Sequence, residues 1–309
     1  MPGQILMIGG PTAVGKTALS IRLAKAFDGE VVNADAYQIY RGMDIGTAKA
    51  TLAERDGVVH HLLDVVEPTA AYSVAQFKQA AKTAIADIQK RGKLPIVVGG
   101  TGFYMNALRL DLPLGGQAPP SDYREHLQQA LVEHDEQWLW AKLNAIDPQA
   151  AEKIPPANSR RVIRALEVMH TTGVKFSQQP ESKPAYDALV IGLTTERQAL
   201  YQRINQRVTL MVQAGLIPEV KHILELAGPD AQSLKAIGYK ELIPYLQGTA
   251  TLAQAVELIQ KNSRHYAKRQ LTYFKHQMPT HWFDLVAQPQ SYQELLTLVT
   301  NWRKMEESF

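Results

Sequence analysis

The stretch Gly10-Pro-Thr-Ala-Val-Gly15-Lys16-Thr17 constrains this chain more than any other. It follows the apolar run Ile5-Leu-Met-Ile8 and leads into Ala18 to Phe27, where apolar residues recur at helical spacing. A strand, a loop with glycine at both ends and a helix, in that order, is the setting of a P-loop. The glycines let successive backbone N–H groups turn inward, the helix N-terminus adds its dipole, and Lys16 adds a point charge. Gly10, Pro11, Thr12, Ala13, Val14, Gly15, Lys16 and Thr17 are therefore expected to cradle phosphate, with Thr17 as the candidate Mg²⁺ ligand through its hydroxyl. The loop alone leaves open whether the phosphates belong to a nucleotide, a kinase donor or a diphosphate ester.

With 309 residues, 45% of them hydrophobic, the chain can bury a full core as one large domain or two. It has no cysteine, which excludes disulfides, a cysteine nucleophile and Cys-ligated zinc. No apolar run approaches the ~18 residues that span a bilayer, and the first residues enter a core strand, so a cytoplasmic protein is expected. The net charge of +3 is mild and compatible with a local basic face.

Glu30-Val-Val-Asn-Ala-Asp35 reads as a second buried strand ending in a carboxylate. In an open parallel sheet ligands lie outside the carboxyl ends of the strands, so Asp35 is expected to share a crevice with the P-loop. As a cap or turn residue it would instead be structural. The polar and aromatic stretch from Ala36 to Lys49 looks like a binding loop. Adjacent His60 and His61 point different ways and have no third ligand at a fitting spacing, so a structural role is expected. Ser73-Val-Ala-Gln76 is a capping box opening a helix that ends at Gly92. Leu94 to Val98 is a third buried strand, running into Gly99-Gly100-Thr101. A common ATPase ends this strand in a Walker B Asp. Glycines there permit close approach of a ligand, or make a simple turn.

From Leu112 to about Tyr186 the strand and helix alternation stops. Pro113, Gly115, Gly116, Pro119 and Pro120 form a hinge-like lead-in, and Gln178 to Pro184 a polar exit. Between them, helical patterns near Ser121 to His134, Glu136 to Ile146 and Ser159 to Thr172, the last behind an Asn158 cap, suggest an inserted lobe. Arg160, Arg161 and Arg164 fall in one turn, either a phosphate-binding cluster or a solvated face. Ala188 to Leu193 returns to strand character, and Arg203 and Arg207 lie i, i+4 on the helix Gln198 to Ala214. Further helical patterns cover Ile217 to Leu226, about Tyr239 to Leu246, and Leu252 to His276. In the last, Lys261, Arg264, His265, Lys268, Thr272 and Lys275 form one stripe with Tyr266, Tyr273 and Phe274 interleaved, fit for nucleic acid or for solvent. Trp282 to Leu285 suggests a final strand and Tyr292 to Met305 a closing helix. The expected fold is α/β, a P-loop NTPase-like parallel sheet flanked by helices, with an inserted all-helical lobe. Residues 1–112 and 187–309 would form the core domain and 113–186 the lobe.

Several stretches together resemble the tRNA dimethylallyltransferase (tRNA isopentenyltransferase) family of the bacterial type. They are Gly10 to Thr17, Asp35 with Tyr40-Arg-Gly-Met-Asp-Ile-Gly-Thr-Ala-Lys49, Gly99-Gly-Thr101, Arg161 with Arg164-Ala-Leu-Glu167, Ala236-Ile-Gly-Tyr-Lys240 and Ala267-Lys-Arg-Gln270. The resemblance implies transfer of a dimethylallyl group from its diphosphate to N6 of adenosine 37, beside the anticodon, in tRNAs reading codons that start with U. It implies Asp35 as general base, Thr101 as contacting the site and Arg207 as helping to hold the diphosphate; Lys16 and the Mg²⁺ cofactor on Thr17, read from the P-loop, complete the expected catalytic set. It further implies tRNA contacts at Asp35, Ala36, Tyr37, Gln38, Thr101, Tyr123, Ser159, Arg160, Arg161, Val162, Ile163, Arg164, Lys235, Gly238, Tyr239, Lys240, Lys268, Arg269, Gln270 and Lys275. A monomer binding the tRNA anticodon stem-loop and dimethylallyl diphosphate is expected. Adenosine 37 must leave its stack, and Tyr104 is a candidate to receive it. The chain departs from the family pattern at Ala36, Tyr37 and Ser159. The alternatives are a P-loop small-molecule kinase, an adenylate isopentenyltransferase acting on free AMP or ATP, and a non-enzymatic RNA-binding protein.

Overall fold

In the computed structural model, which describes residues 3–114, 122–179 and 183–307, the apolar runs of the sequence become one parallel sheet. The expected lead-in glycines and prolines at 115, 116, 119 and 120, Ser121, and residues 180–182 of the polar exit lie outside the described residues. The chain divides into two units, Met1–Leu112 with Pro184–Phe309, and Pro113–Lys183.

The first unit begins with β1 (Gln4–Gly9), α1 (Lys16–Ala26), β2 (Gly29–Asn33), α2 (Leu52–Arg55), β3 (His60–His61), α3 (Val74–Lys90), β4 (Leu94–Val98) and α4 (Gly102–Arg109). The second unit holds α5 (Asp122–Glu133), α6 (Glu136–Ile146), α7 (Pro148–Lys153) and α8 (Ser159–Thr172). The first then resumes with β5 (Asp187–Leu193), α9 (Arg197–Gln213), α10 (Leu216–Ala227), α11 (Ile243–Leu246), α12 (Leu252–Gln277), β6 (Thr280–Phe283) and α13 (Tyr292–Glu307).

The strand order is β3-β2-β4-β1-β5-β6, with every pairing parallel. Parallel strands need crossovers, and these cover both faces, which is why β1 and β4 are apolar at nearly every position. Alternate residues feed two cores. Ile5, Met7 and Val97 pack with Phe77 of α3, Met105 of α4, Val220 of α10 and Phe274 of α12. Leu6, Ile8, Ile96 and Val98 pack with Leu23 of α1, Ile204 of α9 and Val299 of α13. The register pairs Ile8 with Val98 and Val98 with Asn33. Two residues beyond those partners stand Gly10, Gly100 and Asp35, so three loops leave the sheet level with one another.

The lobe has its own core, with Leu127, Leu139, Leu143, Ile154, Val162 and Leu166. Glu167, almost buried in it, is paired with Arg124 and Arg164, each at 2.8 Å.

Local signals account for most boundaries. Ser73 and Gln76 form the expected capping box of α3, and Asn158 accepts from the Arg161 N–H at the start of α8. Three expectations shift. Helix α11 starts at Ile243 rather than near Tyr239, because Pro244 is confined to a first turn. Strand β6 begins two residues before Trp282. Helix α7, not anticipated, is capped by Asp147 with Pro148 in its first turn, an Asp-Pro signal that was legible.

His60 and His61 form the edge strand β3 and take structural partners: His60 Nδ1 faces the Val58 carbonyl, and His61 Nε2 faces Glu30 Oε2 at 2.7 Å. Glu30 is 2% exposed and also meets the Arg91 guanidinium through both oxygens. Hydrogen bonds from Arg91, then His61, hold its pKa down at about 2 against the desolvation that opposes them. Folded Glu30 therefore takes its proton near pH 2, the unfolded chain near 4.5, so acid favours unfolding across that window. We expect Glu30→Gln to cost about 2 kcal/mol at neutral pH, since it removes the buried charge that Arg91 and Lys93 both face, with Asp87 left as Arg91's charged partner. The gap from wild type in thermal unfolding should close as pH falls from about 5 to about 2. A pH-independent gap would show that the ionised carboxylate is not what stabilises this corner.

Candidate active site

The carboxyl ends of β1, β2 and β4 supply three loops to one crevice, as the switch point of an open parallel sheet requires. Gly15, at φ 93°, is the N-cap of α1 and offers no side chain to cap it. A residue with Cβ is strained at that φ, and a side-chain cap would compete for the first amides of the helix. These amides remain available to an anion, which is the physical basis of the cradle.

Lys16 lies over this loop with Nζ donating to the Pro11 carbonyl at 2.6 Å. Burial, then the charge of Arg207, lowers its pKa to about 8, while Asp35 pulls the other way. Arg207 on α9 is itself lowered by burial and raised by Asp35. One turn earlier, Arg203 Nε donates to the Ala13 carbonyl at 2.8 Å and holds the P-loop from outside. Two cations and one carboxylate thus share one poorly solvated space. Such a space favours a ligand carrying more than one negative charge.

Asp35 is held by backbone geometry rather than by a salt bridge. Its N–H donates to Asn33 Oδ1 at 3.1 Å, and its Oδ1 accepts the Tyr37 N–H at 2.9 Å, an Asx turn that sets the carboxylate's direction. Thr101 begins α4, and its hydroxyl accepts the Ala36 N–H at 3.1 Å. The Tyr266 phenol is hydrogen-bonded with Thr101, and its pKa is raised by burial and then by the Asp35 charge. Gln270, 5% exposed on α12, accepts the Thr12 N–H at 3.1 Å and donates to the Gly100 carbonyl at 2.9 Å.

The IPP transferase family model matches residues 38–277. The tRNA dimethylallyltransferase of Lacticaseibacillus casei is 59% identical over 301 residues, 97% of each chain. The tRNA isopentenylpyrophosphate transferase of Bacillus halodurans superposes with a TM-score of 0.76 at 44% identity, covering 100% of this chain and 99% of that one. A eukaryotic dimethylallyltransferase acting on tRNA superposes at 0.82 with 29% identity, over 98% of this chain and 80% of its own. This chain belongs to the IPP transferase family.

Within this IPP transferase, the stretch from Ala36 to Lys49 is a clamped frame more than an open binding loop. Gln38 Nε2 donates to the Thr47 carbonyl at 3.0 Å. Lys49, 7% exposed, donates to the Tyr40 carbonyl and to Asp44 and Asp64. Glu219 of α10 accepts from the N–H groups of Asp44, Ile45 and Gly46 and from the Tyr239 hydroxyl. Glu219 was invisible in the sequence, since its partners lie more than 170 residues away for the loop. By spacing alone, Arg203 and Tyr266 are only helix-face residues.

The expected tRNA contacts divide by exposure. Lys235, Lys240, Lys268, Arg269, Lys275, Arg160 and Arg161 are exposed, and Ala36, Tyr37, Gln38 and Ser159 are half-buried. Val162 and Ile163 belong to the lobe core, Gly238 and Tyr239 are buried, and Gln270 bridges two loops, so direct contact through these residues gives way to packing and bridging. Arg164 is engaged by Glu167 and by the Leu114 carbonyl at 2.7 Å, which leaves the exposed Arg160 and Arg161 as the cluster's phosphate candidates. Tyr123 stacks on His170 with ring centroids 4.0 Å apart. Tyr104 is 8% exposed and stacks on Phe77, so it is a core residue and not a receptor for a flipped base. Phe274 is likewise buried, which removes it from the stripe.

No group of three His, Asp or Glu residues able to hold a metal occurs among the described residues. Thr17 is exposed at the start of α1. Mg²⁺ keeps several waters and takes substrate phosphates as ligands, so the Thr17 hydroxyl would hold it together with a bound phosphate.

The lowered pKa of Lys16 predicts a pH limb for the binding of diphosphate. Below about pH 8 the ammonium is charged before the ligand arrives; above it, binding must also take up a proton. Wild type should bind inorganic diphosphate about tenfold more tightly than Lys16→Ala at neutral pH, as expected for a charged hydrogen bond. Calorimetry across about pH 7 to 10 should find that advantage shrinking as pH rises. A constant ratio would mean that Lys16 does not titrate in the free protein.

Proposed function

We propose that this chain transfers a dimethylallyl group from dimethylallyl diphosphate to N6 of adenosine 37 in tRNAs that read codons starting with U, giving N6-dimethylallyladenosine and diphosphate. The observation that carries the reading is the pairing of a cationic phosphate cradle with an oriented carboxylate, Asp35, in a chain 59% identical to a tRNA dimethylallyltransferase. The relatives carry tRNA in their names, which favours a tRNA acceptor over free AMP or ATP.

Adenine N6 is a poor nucleophile because its lone pair is delocalised into the ring. Asp35 accepts the N6 proton as the new C–N bond forms, with the Tyr37 N–H keeping the carboxylate aimed. On the other side the allylic C–O bond breaks, and negative charge grows on the departing diphosphate. The open amides of α1, Lys16 and Arg207 stabilise that charge where little water screens it. Thr17 is the residue that would hold Mg²⁺, which adds positive charge to the leaving group when bound. Thr101 fixes the Ala36 amide and so the start of the loop behind the base.

The exposed Lys268, Arg269 and Lys275 of α12, with Lys235, Lys240, Arg160 and Arg161, are proposed to meet tRNA phosphates. Half-buried Ala36, Tyr37, Gln38 and Ser159 are proposed as closer contacts. No described helix is long and apolar enough to cross a membrane. The protein is proposed to act in the cytoplasm, as a monomer.

Single-turnover transfer with both substrates saturating tests the base. Asp35→Asn keeps the side chain's size but cannot take a proton, so the rate should fall about 10²- to 10⁴-fold while diphosphate binding persists. A rate within about fivefold of wild type would remove Asp35 from this role. For the surface, Lys268→Ala and Arg269→Ala should each reduce the salt slope of tRNA binding by about one phosphate contact. An unchanged slope would make α12 an ordinary solvated face.

A further inference from the structure

We propose that Gln270 is a positioning residue that sets the diphosphate cradle against the general base. This rests on the prenyl-transfer function proposed for the chain.

Strands β1 and β4 run side by side, and the rung between them at this end is the Gly99 N–H donating to the Ile8 carbonyl at 3.2 Å. Beyond it the two chains become the P-loop and the Gly100-Thr101 turn. The Gln270 amide spans that gap as a side-chain rung, taking the Thr12 N–H on Oε1 and giving Nε2 to the Gly100 carbonyl. A backbone N–H only donates and a carbonyl only accepts, so these partners fix which way the amide faces. Neither an ionised carboxylate nor a thioether can make both bonds.

Gly100 is where the rung and the base converge. A Cβ there would stand 2.2 Å from Gln270 Nε2 and 3.9 Å from Asp35 Oδ2. The amide is nearly buried, so it acts through the two loops and not as a surface contact for RNA. The reaction needs the acceptor nitrogen, the allylic carbon and the leaving oxygen aligned. The first is placed by Asp35 and its neighbours and the last by the P-loop, so the spacing of the loops sets the attack geometry. A displacement of about 1 Å in such a system costs on the order of 10²-fold in rate.

The test measures kcat and KM for each substrate with dimethylallyl diphosphate and tRNA, in Gln270→Met, Gln270→Glu, Gly100→Ala and the double variant Gln270→Met/Gly100→Ala. Loss of the rung should lower kcat by about 10- to 100-fold in each single variant, with both KM values within about threefold of wild type. The double variant should be no slower than the slower single, because both changes break one rung. A raised KM for tRNA with kcat unchanged would make Gln270 a tRNA contact and overturn the proposal, as would wild-type kcat in the variants or a double loss equal to the product of the singles. Should Gln270→Met fail to fold, Gly100→Ala decides by the same split between kcat and KM. A wild-type chain that transfers nothing to tRNA refutes the proposed function and this inference with it. An active wild type matched by its variants refutes the rung alone.

Discussion

The parallel pairing of β1 with β4, and of β4 with β2, carries the rest of the first unit. Because Ile8, Val98 and Asn33 are in register, the loops that follow them emerge level, and residues far apart in the chain arrive at one place. A slip of one residue would turn every side chain of a strand to the opposite face and set two different cores against each other. The two cores are unlike, one centred on Met7, Phe77 and Phe274 and the other on Ile8, Leu23 and Trp302, so the register is strongly specified. Precision at the crevice is thus a product of packing beneath it.

On that base, electrostatics gives the crevice its character. Burial and the charge of Arg207 depress the basicity of Lys16, burial depresses that of Arg207, and Asp35 opposes the effect on both. The free protein therefore holds two cations that gain from an anionic ligand, beside a carboxylate kept in place by amides and not neutralised by an arginine. A salt bridge to Asp35 would have stabilised the site but weakened the base that Asp35 is proposed to be. The clamps that do contain strong ion pairs, Lys49 with Asp44 and Asp64, and Glu30 with Arg91, lie outside the crevice.

Much of this was legible without a structure. The P-loop carries its own spacing, the capping boxes mark helix starts, and the glycines at 99 and 100 announce a close approach. The site residues that are placed differently share one reason, which is that the sequence does not reveal which side chains are covered. The stripe on α12 interleaves basic and aromatic residues, yet Phe274 faces the core while Lys268 and Lys275 face out. Tyr104 beside the Gly-Gly-Thr turn looked available to a base and is instead stacked on Phe77. The run from Ala36 to Lys49 reads as a binding loop, and from Tyr40 onward its backbone is clamped by Lys49, Gln38 and Glu219.

The sequence by itself determined the glycine-bounded loop between the first strand and helix, the carboxylate at the end of the second strand, the α/β class and the family. These reside in residues close together in the chain, where backbone conformation follows from local spacing, glycine and caps. Only the tertiary structure decided that Gln270 joins two loops, that Glu219 holds a third, and which arginines of α8 remain open to an anion. Arg164 is taken up within the lobe, by Glu167 three residues on and by the Leu114 carbonyl; the contacts of Gln270 and Glu219 join partners as many as 258 residues apart. Local spacing carries no information about them, because they come into being only when the sheet's register and the packing of α10 and α12 bring the partners within hydrogen-bond reach.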